Sequence, residues 1–177
     1  MRKHLVFTLS GPDRVGLVEE ITGMMLEQGG NVESSRMSRL GGEFVILMLV
    51  SMPEENLDTL RQGIRSLRDE GYKITTRKTE RGYAAKYEGW LPYQVTVNGA
   101  DNEGIIHHVA RYMAERGVNI ETMDTGMVRA PMSGTPLFTM TAVVMAPPDL
   151  SYPGWGDDLA DVGDRLNVDI EVSTYTG

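Results

Sequence analysis

Cysteine is absent from the 177 residues, which excludes disulfides, thiolate metal sites and cysteine nucleophiles together. No stretch holds the roughly 20 apolar residues of a membrane span, and Met1-Arg2-Lys3-His4 runs directly into an alternating strand, unlike the apolar helix of a signal peptide. The expected compartment is therefore the cytoplasm. Histidine is scarce as well. His107 and His108 are adjacent on an expected helix, about 100° apart, and so cannot close on one metal from a single face; His4 has no identifiable partner in the sequence. Neither a phosphate-binding Gly-x4-Gly-Lys loop nor a nucleophile elbow occurs, and Ser34-Ser35 falls in a strand with no base beside it. No catalytic residue, metal site or cofactor is expected. The twelve methionines fall largely at core-facing positions such as Met25, Met48 and Met113, where they fill irregular space.

Basic residues are missing mainly from one half. Residues 1–88 hold 13 Lys/Arg against 13 Asp/Glu, and residues 89–177 hold 4 against 12, so the net charge of −8 lies entirely in the second half. That half would repel DNA phosphates, whose neutralisation supplies most nucleic-acid affinity. Direct nucleic-acid binding is not expected. The acidic surface reads either as a solubilising one or as a docking face for a basic protein.

What is present is a repeat. Ser10-Gly11-Pro12-Asp13-Arg14-Val15-Gly16-Leu17 is answered 88 positions later by Asn98-Gly99-Ala100-Asp101-Asn102-Glu103-Gly104-Ile105. Before it, Leu5, Phe7 and Leu9 align with Tyr93, Val95 and Val97, an alternating strand each time. After it, Leu17, Val18, Ile21, Met24 and Met25 take the spacing of one helical face, and Ile105, Ile106, Val109, Tyr112 and Met113 repeat it. Gly29-x-Asn31-Val32-Glu33 then matches Gly117-x-Asn119-Ile120-Glu121. A period this long implies two tandem domains, each of a size at which a lone domain is marginally stable, so partner surfaces should matter.

In chain order, a strand is expected over about 3–10 and a helix over about 14–28, closed by Gly29-Gly30. A weakly alternating strand over 31–39 turns at Leu40-Gly41-Gly42 into Phe44–Val50. This third strand is apolar at both parities and should be buried on both faces. Pro53-Glu54-Glu55 opens a helix with Leu57, Leu60, Ile64 and Leu67 inward, its acidic first turn suiting the dipole and Gly71 ending it. A polar, basic edge strand follows at 73–79. The order βαββαβ, with right-handed crossovers, packs two helices on one face of an antiparallel sheet. The fold class is α+β: two tandem ferredoxin-like domains, 1–80 and 92–177. Residues 81–91 read as a linker that Tyr83, Tyr87 and Trp90 should pack down.

Two segments break the symmetry. The hairpin from Gly126 to Leu137 is about six residues longer than its counterpart, and Pro147–Gly154 delays a last helix carrying Leu159, Val162 and Leu166, before a strand with Val168, Ile170 and Val172. Such loops are sites of function or of tolerated insertion. The third strand of the second copy, Phe138–Val144, carries threonines where the first has Val45 and Leu47. The outer sheet face of the first domain is the greasier one and is expected to be covered by another chain.

The strand-to-helix turn has its own chemistry. Gly11 and Gly16 permit close backbone approach, and free amides at a helix N-terminus favour a carboxylate. Asp13 or Asp101 would receive an ammonium group, and Asn31 or Asn119 offers donor and acceptor; together these suit a zwitterion. The same residues also read structurally: Asp13 as an N-cap, Gly16 and Gly104 as helix–strand packing, Asn31 and Asn119 as left-handed residues after glycine.

Asp13-Arg14-x-Gly16-Leu17, Gly29-x-Asn31-Val32-Glu33, Ser34-Ser35-Arg36, Gly41-x-Glu43-Phe44 and the doubled βαββαβ order resemble paired ACT domains, and specifically the glycine cleavage system transcriptional repressor family. The similarity is strongest from Leu9 to Val50. It implies a non-catalytic regulator that senses a small amino acid such as glycine and acts on a protein partner, without touching DNA, as a homo-oligomer. It also implies a ligand site where the first turn of one domain meets strand two of its neighbour. The residues that would line it are Gly11, Asp13, Arg14, Gly16, Leu17, Asn31 and Val32, with Asn98, Asp101, Asn102, Gly104, Ile105, Asn119 and Ile120 in the second copy. The family usually has proline before the second glycine of the turn; Val15 and Glu103 stand there instead, and Glu103 adds negative charge beside the second turn. A constitutive interaction module with a vestigial site is the alternative. A ferredoxin-like RNA binder would need exposed aromatics on its central strands, where only Phe44 and Phe138 occur, and an anion-loop enzyme would have Arg14 alone.

Overall fold

A computed structural model describes residues 1–79, 86–130, 133–150 and 154–176. The chain divides into two compact units, Met1–Ala85 and Lys86–Gly177.

In the first unit β1 (Arg2–Pro12) leads into α1 (Leu17–Glu27), β2 (Asn31–Leu40), β3 (Glu43–Pro53), a 3-10 turn at Glu54–Asn56, α2 (Leu57–Asp69) and β4 (Lys73–Thr79). The sheet runs β2-β3-β1-β4, antiparallel throughout. The second unit repeats it with β5 (Leu91–Ala100), α3 (Ile105–Glu115), β6 (Asn119–Arg129), β7 (Pro136–Ala146), α4 (Gly154–Leu166) and β8 (Val168–Thr174), in the order β6-β7-β5-β8. Both are βαββαβ units of the ferredoxin-like kind.

Alternation builds each core. Leu5, Phe7 and Leu9 of β1 and Ile46, Met48 and Val50 of β3 meet Leu17, Ile21 and Met25 of α1 and Leu57, Leu60, Ile64 and Leu67 of α2. Each fully buried side chain of this kind contributes about 2 kcal/mol of transfer free energy. The second core sets Tyr93, Val95 and Val97 against Val109, Met113 and Leu159, with the Trp155 ring edge-on to Tyr93 at 5.3 Å. Tyr112 donates to the Trp155 carbonyl at 2.8 Å, and Arg116 stacks 3.6 Å from the centroid of the Tyr112 ring while its guanidinium meets Asp158 at 3.2 Å.

Several expectations change. Helix α1 begins at Leu17 rather than at 14, because Gly16 holds a left-handed φ of 86° as N-cap. Val18 and Ile106, counted in the inward stripes, are 39% and 43% exposed at equivalent positions of the two units. Pro53-Glu54-Glu55 forms a 3-10 turn, and α2 proper starts at Leu57. Strand β3 is buried on one face only: Val45 and Leu47 are 40% and 44% exposed, because both helices lie on the side of Ile46 and Met48. The extra length after Gly126 goes partly into strand, since β6 and β7 pair as far as Arg129 and Pro136, whereas β2 and β3 close through Gly41-Gly42. Tyr87 and Trp90 pack edge to face at 4.9 Å, and Tyr87 donates to Asn119 Oδ1 at 2.9 Å within the second unit; Tyr83 lies outside the described residues. Each second strand is shifted by one residue against its neighbour, between Val32 and Ser34 and between Ile120 and Thr122.

Candidate functional site

The β1–α1 turn starts where β1 pairs to its end, Gly11 opposite Phe44 and Pro12 opposite Glu43. The Asp13 amide then donates to the Gly42 carbonyl at 3.2 Å, which seats the turn over the β2–β3 hairpin. Asp13 is not the N-cap. Its carboxylate stands 3.8 Å from Arg39 Nε at the rim of the turn. The capping position belongs to Gly16, and no side chain caps α1; nothing lies within 4 Å of where a Gly16 Cβ would sit. Backbone conformation therefore requires this glycine, not helix–strand packing. The uncapped first turn leaves amide groups at the positive end of the helix dipole.

Gly11 does a different job. A Cβ there would fall 2.5 Å from Tyr72 Cδ1, so the glycine makes room for that ring. Tyr72 donates to the Pro12 carbonyl at 2.9 Å and accepts from Arg14 Nε at 3.1 Å. The Arg14 guanidinium also bonds the Glu20 carboxylate and reaches Glu70 at 3.5 Å. Glu20, and after it Tyr72, hold the Arg14 pKa above its ordinary value. Arg14 thus ties the turn to the end of α2.

The second unit builds the same tie from other atoms. Asn102, at the Arg14 position, donates to the Leu166 carbonyl at 3.1 Å and to the Ala100 carbonyl at 3.3 Å. Gly99 meets Val168 as Gly11 meets Tyr72: its Cβ would lie 2.7 Å from Val168 Cα. Gly104 has φ 86° as the N-cap of α3. Asn98, Asp101, Asn102 and Glu103 are exposed around this turn, and the His108 ring lies 3.4 Å from the position of a Gly104 Cβ. His107 and His108 stack edge to face at 5.5 Å on the exposed side of α3.

Other residues with a predicted role are set apart. Leu17 and Ile105 are buried core residues, so only their backbones face the turns. Asn31 pairs with Ser51, which pairs with His4, whereas the turn follows Pro12. Gly11 lies seven residue steps along β1 from His4, about 23 Å at strand rise. Within one unit Asn31 and Val32 therefore lie at the opposite end of the sheet from Asp13. Asn119 and Ile120 are likewise remote from Asp101, since Asn119 pairs through Met145 with Pro92. Neither asparagine is left-handed; that conformation falls to Gly29 and Gly117. Asn119 is engaged, donating to Glu121 at 2.6 Å and accepting from Tyr87.

An open concavity of about 570 Å³ lies at the first turn, lined by Asp13, Arg14, Gly16, Leu17, Val18, Glu19, Thr22 and Phe44. Val18, Glu19, Thr22 and Phe44 line it in addition to the residues expected there. The available signal was the recurrence of an apolar residue at 18 and 106 just where a helical stripe ends. Among the described residues no group of three or more His, Cys, Asp or Glu could hold a metal, and no helix is long and apolar enough to cross a membrane.

Two βαββαβ units, each with a glycine at the N-cap of its first helix, make a tandem ferredoxin-like protein. Residues 3–75 match the ACT domain family, and the chain is a tandem ACT-domain protein resembling the glycine cleavage system transcriptional repressor family. It is 46% identical over 48 residues to the glycine cleavage system transcriptional repressor of Escherichia coli, a match covering 27% of this chain and 25% of the repressor. A UPF0237 protein of Methanosarcina mazei is 36% identical over 55 residues, 31% of this chain and 60% of that protein. The matches thus span a quarter of one curated relative and three fifths of the other. Among solved structures, an unknown protein from Galdieria sulphuraria is 31% identical over 99% of this chain and 100% of its own, with a TM-score of 0.86. A candidate glycine cleavage system transcriptional repressor of known crystal structure shares the fold at 17% identity, with a TM-score of 0.68 over 99% of each chain.

Proposed function

We propose that this protein is a non-catalytic cytoplasmic regulator that binds a small amino acid, glycine-like in size, where the first turn of one ACT unit meets strand two of another. Binding would alter its contact with a protein partner in the transcriptional control of amino-acid metabolism, with no direct contact to DNA. The observation that carries this reading is the first turn itself. Uncapped amides of α1 face an open concavity beside the Asp13 carboxylate, one partner for each end of a zwitterion. The remoteness of Asn31 from that turn agrees with a site completed by a second unit. Arg14, bound by Glu20, Glu70 and Tyr72, shapes the turn from behind, and a ligand carboxylate falls to the amides. The turn near Gly16 is the stronger of the two, because Glu103 puts a further carboxylate at the other.

A ligand touching two units favours the arrangement it bridges, and it shifts a partner equilibrium only by its differential affinity for the two states. Thermal melting against free amino acids, beginning with glycine and serine, tests this. At about 100 times the dissociation constant a ligand adds about 2.7 kcal/mol, a rise of several degrees. Asp13→Ala should abolish that rise while leaving the unliganded melting curve in place. A flat response across the panel at millimolar concentration would instead make the chain a constitutive interaction module.

A further inference from the structure

Each sheet has one face against its helices and one face open, and the two open faces carry opposite charge at equivalent positions. On the first, Val6, Leu47, Leu49 and Val45 form the centre, with Thr8 beside them. Arg36 pairs with Leu47 on the β2 side, and Lys73 and Arg77 pair with Ser10 and Val6 on the β4 side. All three cations are exposed. Of the carboxylates on this side, Glu33 is engaged by His4 at 3.1 Å, and Glu43 lies at the hairpin end of β3, opposite Pro12 and away from the three cations. On the second, Gln94, Thr96, Thr139, Thr141 and Val143 form a neutral centre. Asp124 pairs with Thr141 on the β6 side, and Asp169 and Glu171 pair with Asn98 and Thr96 on the β8 side; these three are exposed too. Asp124 occupies the position of Arg36 in the repeat, and Asp169 that of Lys73. None of the six enters an ion pair with a described residue.

We propose that the open sheet face of the first unit docks on the open sheet face of the second unit of another copy of this chain, twice over, in a reciprocal dimer. Cations along both edges of one face meet carboxylates along both edges of the other, which fixes orientation and disfavours pairing of like faces. The apolar centre formed by Val6, Val45, Leu47 and Leu49 leaves water in the same step. Area favours a second copy as occupant. Four strands about 4.8 Å apart and about seven residues long make a face of roughly 400 Å². A single face pair buries about 800 Å², the size of a packing contact, whereas the two pairs of a reciprocal dimer bury about 1,600 Å², a standard stable interface. Twofold symmetry closes such an assembly without leaving a face open for fibre growth.

This inference does not depend on amino-acid binding, and its test leaves the β1–α1 turn untouched. Sedimentation equilibrium of the full chain should give twice 19.6 kDa, with a dissociation constant that rises with salt. Arg36→Glu, Lys73→Glu and Arg77→Glu together should raise that constant at least tenfold, and so should Asp124→Lys, Asp169→Lys and Glu171→Lys together. Mixing the two triple variants should restore a dimer, because each then offers the other a complementary pair of faces. Circular dichroism establishes that each variant is folded; if either is not, the corresponding glutamine and asparagine sets take its place and should weaken the dimer and flatten its salt dependence. A monomeric wild type across the micromolar range, a dimer indifferent to these changes, or a mixture that stays monomeric would overturn the proposal.

Discussion

Tyr72 accepts a hydrogen bond from Arg14 and passes one on to the Pro12 carbonyl, so a residue just before β4 holds the turn that follows β1. Tyr72→Phe keeps the ring over Gly11 and removes both bonds. It should lower stability by about 1–2 kcal/mol, read as a shift of the urea midpoint with unchanged slope, and should loosen the turn, read as faster amide hydrogen exchange at the start of α1.

Two glycines of the same motif should respond differently to alanine. Gly11→Ala drives a methyl to 2.5 Å from the Tyr72 ring and 3.2 Å from its Cα, an overpacking expected to cost about 1–3 kcal/mol. Gly16→Ala meets open space, so its cost is only the left-handed backbone, about 1–2 kcal/mol. Combining each with Tyr72→Ala separates them in urea denaturation: the smaller side chain should relieve the first loss and leave the second.

Glycines inside helices make a second contrast. Gly63 of α2 would place a Cβ 3.1 Å from the flexible end of Met24, and Gly163 of α4 would place one 2.6 Å from the Val168 carbonyl. Gly63→Ala should raise the melting temperature, approaching the gain of about 1 kcal/mol that alanine has over glycine in a helix. Gly163→Ala should lower it by several degrees, because the obstacle is backbone and cannot yield.

Burial of Tyr112 raises its pKa above the ordinary 10, against an opposing effect of Arg116. The folded state therefore holds this proton more tightly than the unfolded chain does. The associated stability is fully present below pH 10 and is lost as pH rises through the folded value. Ultraviolet titration should show one phenol ionising after the others, and Tyr112→Phe should remove that late step and reduce the alkaline loss of stability.

The repeat made the fold legible, since alternation at Leu5, Phe7 and Leu9 and its echo at Tyr93, Val95 and Val97 locate strands and core together. What the pattern left out were contacts distant in sequence. Nothing in Asp13-Arg14-Val15-Gly16 reveals that Arg14 is held by Tyr72, 58 residues on. Nor does it show that the Gly11 position exists for the same ring, or that Asn102 does the work of Arg14 by bonding a helix carbonyl. The apolar run of β3 misled for a related reason: composition cannot say that both helices choose one side, leaving Val45 and Leu47 on the other. The candidate site was half visible. The turn was marked by its glycines, but its distance from Asn31 is a property of strand register, which the spacing of residues in the chain does not carry.

The one-residue offsets at Glu33 and Glu121 act as a change of phase. In an unbroken strand Val32, Ser34 and Arg36 would share a side, as would Ile120, Thr122 and Asp124. With one extra residue inserted, Ser35 and Met37 follow Val32 inward, Met123 follows Ile120, and the charged side chains come out on the opposite side. Drawing Glu33 into the ladder would therefore turn the rest of β2 over, sending Arg36 toward the helices and Met37 into water, whereas deleting it would close the ladder with Ser34 still opposite Leu49. The polarity of each open face thus hangs on a single uncounted residue at the start of an edge strand, kept in both copies while the charges it displays have changed sign.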